Sequence, residues 1–217
     1  MTGPHQGQPR ETAGASIQSA DAAVVLVHGR GATAQGILQM ADAFPSHGVT
    51  YLAPQAAGNT WYPNPFTAPV ESNEPGRTSG IEAIGDAVAE VTATDIPAKQ
   101  IAVVGFSQGA CLASEFVARN PRRYGGLAAL SGGLIGESID PDDYEGDLDG
   151  MPVFVGCSDV DPHIPEKRVH ETGDVFKRLN ADVTKRLYEG MGHGINQDER
   201  EYVAGMIAAL LEDASTD

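Results

Sequence analysis

The chain has 217 residues, 41% of them hydrophobic, which is enough for one well-buried domain and too few for two comfortable ones. Acidic residues outnumber lysine plus arginine by 30 to 14, giving a formal net charge of −16, and such a field opposes binding to nucleic acid or anionic membrane surfaces. No apolar run approaches the roughly 20 residues that span a bilayer, and the first ten residues lack the charged-then-apolar layout of a signal peptide, so a cytoplasmic protein without stable membrane association is expected.

In chain order, residues 1–20 are rich in Gly, Pro, Gln and Ser and predict a flexible tail with room for one edge strand near 8–13; residues 21–217 read as a single domain. Ala22–Val27 is a continuous apolar run, the pattern of a strand buried on both faces of a parallel sheet, and it ends in His28-Gly29-Arg30-Gly31. The spacing then predicts a helix over 33–44 and a short strand over 49–52. An irregular, proline-rich stretch over 55–78 carries Trp61, Tyr62 and Phe66, and a helix follows over 80–94. Further strands are predicted at 101–105, 127–131, 152–156 and 183–188, and further helices at 108–119, 165–179 and 197–211. An acidic loop occupies 132–150. Strands alternating with helices of this length imply crossover connections, hence an α/β fold with a mostly parallel, doubly wound sheet flanked by helices.

The stretch Ile101-Ala102-Val103-Val104-Gly105-Phe106-Ser107-Gln108-Gly109 joins a β-branched run to a helical one through a sharp turn. A serine at the apex of such a strand-turn-helix has its hydroxyl exposed, and Gly105 and Gly109 remove the Cβ atoms that would collide across the turn. This is a G-x-S-x-G nucleophile elbow. A serine hydroxyl is a weak nucleophile until a base takes its proton, and the base needs a carboxylate to orient it; on this architecture the expected chain order is Ser, acid, His. Two loops at the carboxyl ends of later strands supply them. Asp159 and Asp161 lie in the first, where Asp161 is preferred because it heads the Asp-Pro turn leaving the strand; His193 lies in the second, flanked by glycines. Among the other histidines, His5 falls in the tail, His47 in a loop and His170 within a helix, while His28 and His163 lie near the site, His28 as an orienting residue. The oxyanion of a tetrahedral intermediate would be met by the backbone N–H groups of Gln108 and Arg30. Trp61, Tyr62 and Phe66 are read as pocket wall, the alternative being an apolar cluster beneath a loop. Cys111 and Cys157 read as buried free thiols, and the acidic loop lacks the ligand spacing of a calcium site, so no metal is expected.

Val27-His28-Gly29-Arg30-Gly31, Ala53-Pro54-Gln55, Trp61, Gly105-Phe106-Ser107-Gln108-Gly109, Leu130-Ser131-Gly132, Asp161-Pro162-His163-Ile164-Pro165 and Tyr188-Glu189-Gly190-Met191-Gly192-His193 resemble the ordered motifs of the phospholipase/carboxylesterase family, which includes the acyl-protein thioesterases. The resemblance spans 24–211 and implies an α/β-hydrolase fold with a minimal lid, Ser107, Asp161 and His193 as a triad, and no cofactor. It departs in the tail, the 60–80 loop and the acidic loop, the segments that would shape an acyl pocket. The expected activity is a serine carboxylesterase acting on short- to medium-chain acyl esters, with an acyl-protein thioesterase or lysophospholipase as the alternative within enzymes. A catalytically silent hydrolase-fold binding protein is the alternative outside them.

Lysine occurs only at positions 99, 167, 177 and 185, so the acidity reflects missing base as much as added acid. That composition fits either a halophilic protein of a salt-rich cytoplasm or an ordinary acidic enzyme. The Debye length falls from about 10 Å at 0.1 M salt to about 3 Å at 1 M, so salt screens the self-repulsion. For a halophilic chain, the melting temperature should rise from about 0.1 to 2 M KCl and keep rising after screening is complete; a flat or falling curve leaves only the ordinary acidic enzyme.

Overall fold

The computed structural model describes residues 3–214. Seven strands form one sheet in the order β1-β3-β2-β4-β5-β6-β7. They are β1 (Arg10–Gly14), β2 (Ala22–Val27), β3 (Val49–Pro54), β4 (Ile101–Phe106), β5 (Gly126–Leu130), β6 (Pro152–Ser158) and β7 (Asp182–Tyr188). β1 runs antiparallel to β3 at one edge, and every other pairing is parallel.

Side chains alternate across each strand. Ala23, Val25, Val27, Val103, Leu127, Ala129, Val153 and Val155 face one apolar layer; Ala22, Val24, Leu26, Ala102, Val104, Ala128, Leu130 and Phe154 face the other. The first layer is closed by α2 (Gly76–Thr92), α3 (Gln108–Arg119) and α4 (Glu166–Arg178), the second by α1 (Ala34–Leu38) and α5 (Gln197–Ala214). Covering both faces is what permits the unbroken apolar runs of the central strands. No helix among the described residues is long and apolar enough to cross a membrane.

Three segments differ from the sequence expectation. The helix expected over 33–44 is α-helical only over Ala34–Leu38 and tightens to a 3₁₀ turn over Gln39–Ala43, with Gly36 inside and Pro45 just beyond. α2 starts at Gly76 instead of residue 80. Its polar first turn broke the apolar periodicity, yet Glu74 Oε2 accepts the Thr78 N–H at 3.0 Å and Arg77 reaches inward to the buried Glu115. The third is the amino-terminal segment: its expected edge strand is present as β1, on the register Arg10↔Pro54 to Gly14↔Thr50, but His5, expected in a loose tail, is buried to 4% exposure.

The acidic loop between β5 and β6 exposes its carboxylates and tucks Tyr144 and Leu148 into the core. The Tyr144 hydroxyl donates to Glu115 Oε1 at 3.0 Å, the same oxygen that accepts the Ile135 N–H at 3.0 Å. Glu115 Oε2 accepts from Arg77 and, at 2.6 Å, from Arg119 Nε. A fully buried carboxylate with four donors is stable there because its lone pairs are filled. It ties the loops after β5 to α2 and α3.

Candidate active site

The parallel strands β3, β2, β4, β5, β6 and β7 all point their carboxyl ends to one edge, and β4 is the central strand of the seven. The chain leaves β4 through Ser107, whose φ of 55° and ψ of −120° lie outside the ordinary allowed regions. Two close approaches impose that geometry. A Cβ on Gly105 would lie 2.4 Å from the Gly109 carbonyl oxygen, and one on Gly109 would lie 2.1 Å from the Val27 carbonyl oxygen. α3 therefore starts directly against β2. The Ser107 N–H donates to the Leu130 carbonyl at 2.9 Å and its carbonyl accepts the Cys111 N–H at 3.0 Å, so the backbone of the turn is held from both sides.

Ser107 Oγ lies 2.9 Å from His193 Nε2, and His193 Nδ1 lies 2.8 Å from Asp161 Oδ2. Asp161 Oδ1 accepts the N–H groups of His163 at 2.8 Å and Ile164 at 3.0 Å, and the buried Cys157 thiol lies 3.6 Å from Oδ2. Burial pushes the Asp161 carboxyl up, but the hydrogen bonds from His193 and these two amides outweigh it and hold it below its ordinary value. An ionised Asp161 only accepts, so Nδ1 carries the ring proton and the Nε2 lone pair faces the serine hydroxyl. The Cys157 thiol, pushed up to about 12 by burial first and the Asp161 charge second, stays protonated.

Asp159 does different work. Its Oδ1 accepts the Gly190 N–H at 2.9 Å, Ser158 Oγ accepts the Gly192 N–H at 3.0 Å, and Ser131 Oγ donates to the Gly194 carbonyl at 3.0 Å. Three side chains on the neighbouring strand ends thus fix the His193 loop. The His193 ring packs against Phe106 at 5.2 Å and edge-on against His163 at 4.9 Å between centroids. The hydrogen bonds of Ser131 and Ser158 to the His193 loop left no pattern in the sequence, because their partners lie 63 and 34 residues away along the chain.

A cavity of about 560 Å³ opens beside Ser107, lined by Tyr62, Pro63, Phe66, Cys111, Ile164 and His193 among others, with Arg30 and Gln108 on its wall. Trp61 is not in that wall. It is fully buried behind it, its indole N–H donating to the His28 carbonyl at 2.8 Å, so of the three aromatics only Tyr62 and Phe66 face the cavity. The Arg30 side chain donates to the carbonyls of Tyr62, Pro63 and Asn64 at 2.7, 3.0 and 3.0 Å. Gln108 accepts the Trp61 N–H at 2.9 Å and donates to the Tyr62 carbonyl at 2.9 Å. His28 is buried and bonded to backbone on both nitrogens.

A mostly parallel sheet with a serine on a strained turn after the central strand defines an α/β-hydrolase. Residues 11–211 match the phospholipase/carboxylesterase family, and the chain belongs to it. It is similar to acyl-protein thioesterase 1 of Saccharomyces cerevisiae, at 28% identity over 91% of this chain and 96% of that protein. It also resembles the crystal structure of a phospholipase/carboxylesterase from Dyadobacter fermentans, with 42% identity and a TM-score of 0.90 over 94% of this chain and 97% of that one. The carboxylesterase of Bacillus cereus, at 17% identity and a TM-score of 0.69 over 94% and 95% of the two chains, shares the fold. The protein is a serine hydrolase of this family.

Behind the His193 loop, Glu199 on α5 is fully buried, its Oε2 accepting the Asn196 N–H at 2.9 Å while the Asn196 side chain accepts the Glu199 N–H at 2.9 Å. Among the described residues its other oxygen has no hydrogen-bond partner, and it lies 2.3 Å from the place a Cβ on Gly156 would take. Burial above all, with the Asp198 charge adding to it and the Asn196 amide opposing, pushes this carboxyl up to about 7 from 4.5. Between these two values the unfolded chain has released the proton and the folded one retains it, so stability falls as pH rises through that window and the cost is complete above it. The Glu199→Gln protein should lack this loss. Measured by denaturant unfolding across pH 4 to 9, its stability relative to the parent should climb by about 3 kcal/mol between pH 4.5 and 7 and then level off. A difference that stays constant with pH would show that the buried carboxyl is not the cause.

Proposed function

We propose that this chain is a serine carboxylesterase hydrolysing short- to medium-chain acyl esters through an acyl-enzyme on Ser107. The observation that carries the reading is the continuous line Asp161–His193–Ser107, at 2.8 and 2.9 Å, beside a cavity with aromatic, proline and aliphatic walls. His193 Nε2 takes the Ser107 proton as Oγ attacks the acyl carbon, and Asp161 stabilises the imidazolium that forms. The negative charge that develops on the carbonyl oxygen is met by the N–H groups of Arg30 and Gln108, a contribution of several kcal/mol for such donors. Collapse of this intermediate breaks the acyl–oxygen bond, and His193 returns the proton to the departing alcohol. Water, deprotonated by the same histidine, then releases the acid and restores Ser107.

The same steps cleave a thioester, whose thiolate is a better leaving group. The similarity to a yeast acyl-protein thioesterase supports thioesters as the second substrate class. Lipid surfaces are less well supported: among the described residues Val160 stands out as the large exposed hydrophobic side chain, which gives no broad apolar face for a membrane. No step calls on a cofactor.

With p-nitrophenyl acyl esters of increasing chain length and matching thioesters, Ser107→Ala and His193→Ala should each lower kcat by about 10⁴-fold or more, and Asp161→Asn by at least about 10³-fold, without change in circular dichroism. Asp159→Asn should stay within about threefold of the parent, since the amide oxygen still accepts from Gly190. An inactive Asp159 variant beside an active Asp161 variant would reverse the assignment of the acid.

A further inference from the structure

The amino-terminal segment folds back onto the loop after β3, and its contacts converge on His5. The His5 N–H donates to Ser79 Oγ on α2 at 2.9 Å, while Gln6 donates to the Ser79 carbonyl at 3.0 Å and accepts the Ser79 hydroxyl at 2.7 Å. The His5 ring then bridges the loop. Nδ1 accepts the Ala57 N–H at 3.1 Å, and Nε2 lies 2.8 Å from the Trp61 carbonyl. Accepting at Nδ1 requires a lone pair there, so the ring is neutral and Nε2–H donates to Trp61.

His28 repeats the arrangement from the other side. Its Nε2 accepts the Ala56 N–H at 3.1 Å and Nδ1–H donates to the Gly29 carbonyl at 2.8 Å. Two consecutive backbone amides thus donate to two different buried imidazoles. The Trp61 indole lies between them, with centroids 5.0 Å from His5 and 4.9 Å from His28. Trp61 and Tyr62 are in turn bonded to the Gln108 side chain, and Tyr62 to the Arg30 guanidinium. The loop gripped by the two histidines therefore rests on both residues whose amides would hold the oxyanion.

We infer that His5 is a positioning residue, and that the His5–Trp61–His28 cluster is an acid-sensitive latch holding residues 56–62 against the turns that present the Arg30 and Gln108 amides. Its catalytic consequence rests on the oxyanion reading above. Protonating either ring replaces a lone pair by an N–H aimed at the N–H of Ala56 or Ala57, donor against donor. Burial first holds both rings below the ordinary histidine value of 6.5, with backbone carbonyls opposing it and the His5 charge lowering His28 further. The other groups packed on the rings, Trp61, Ser79, Gln6 and Gln55, do not titrate in this range, and neither ring has a carboxylate hydrogen-bond partner among the described residues. The folded state resists these protons, so the latch is intact above pH 6.5 and its stabilisation is lost as pH falls below that value.

Trp61 is the only tryptophan, so its emission in the full-length protein reports the latch directly. In the parent, selective tryptophan excitation should show a fall and red shift as pH is lowered below 6.5 while far-ultraviolet circular dichroism holds. His5→Ala should show the red-shifted emission already near pH 8, with kcat lowered about tenfold and KM within about twofold. His5→Gln, an amide that can accept and donate without titrating, should recover part of kcat and shrink the acid step; it also serves if the alanine variant does not fold. An emission and kcat in His5→Ala equal to the parent, or the same acid step in parent and His5→Gln, would overturn the latch. Hydrolysis that survives Ser107→Ala would instead overturn the Ser107 acyl-enzyme reading and leave the emission result standing.

Discussion

The close approach of α3 to β2 is the constraint from which the site follows. Gly109 brings the first turn of α3 against the Val27 carbonyl, at a separation that no Cβ tolerates, and Gly105 lets the same turn pass over the end of β4. With both ends of the turn fixed, Ser107 has no ordinary backbone conformation left to it and takes φ 55°. Strain of this kind costs of order 1–3 kcal/mol and persists only where the surroundings over-determine it. Here the Leu130 carbonyl and the two flanking strands do so. The gain is a hydroxyl aimed out of the sheet at a fixed height.

Around that hydroxyl the other groups are arranged by filled hydrogen bonds more than by charge. Asp161 has His193 and two amides on its oxygens, with the Cys157 thiol alongside; the His193 loop is pinned at Gly190, Gly192 and Gly194 by Asp159, Ser158 and Ser131. The Arg30 and Gln108 side chains hold the pocket loop, and both residues line the cavity beside Ser107. Preorganisation of this kind is what lets donors act on a developing charge without reorganising during the reaction.

The sheet was legible because its strands are unbroken apolar runs: Ala22–Val27 and Ile101–Phe106 lie where the pattern puts them, with alternate residues in two layers. The elbow and the loops of Asp161 and His193 were legible because glycine and Asp-Pro mark turns locally. What escaped was polar and long-range. The first turn of α2 is hydrophilic, and its reason for being helical lies in Glu74 and in Glu115, 38 residues from Arg77. His5 stands among residues of loop composition and is buried only through partners 52 to 74 positions away. Trp61 looked like pocket wall because an aromatic in a long loop near a site usually is; two histidines and Gln108 take it into the interior instead.

The central claim, that the strained turn, His193 and Asp161 make Ser107 the one activated nucleophile, is tested most directly by covalent labelling with a fluorophosphonate followed by peptide mass mapping. The account predicts a single adduct per chain, on Ser107, whose rate of formation falls at least about 10³-fold in His193→Ala. An adduct on another residue, or labelling of Ser107 at an unchanged rate without His193, would contradict it.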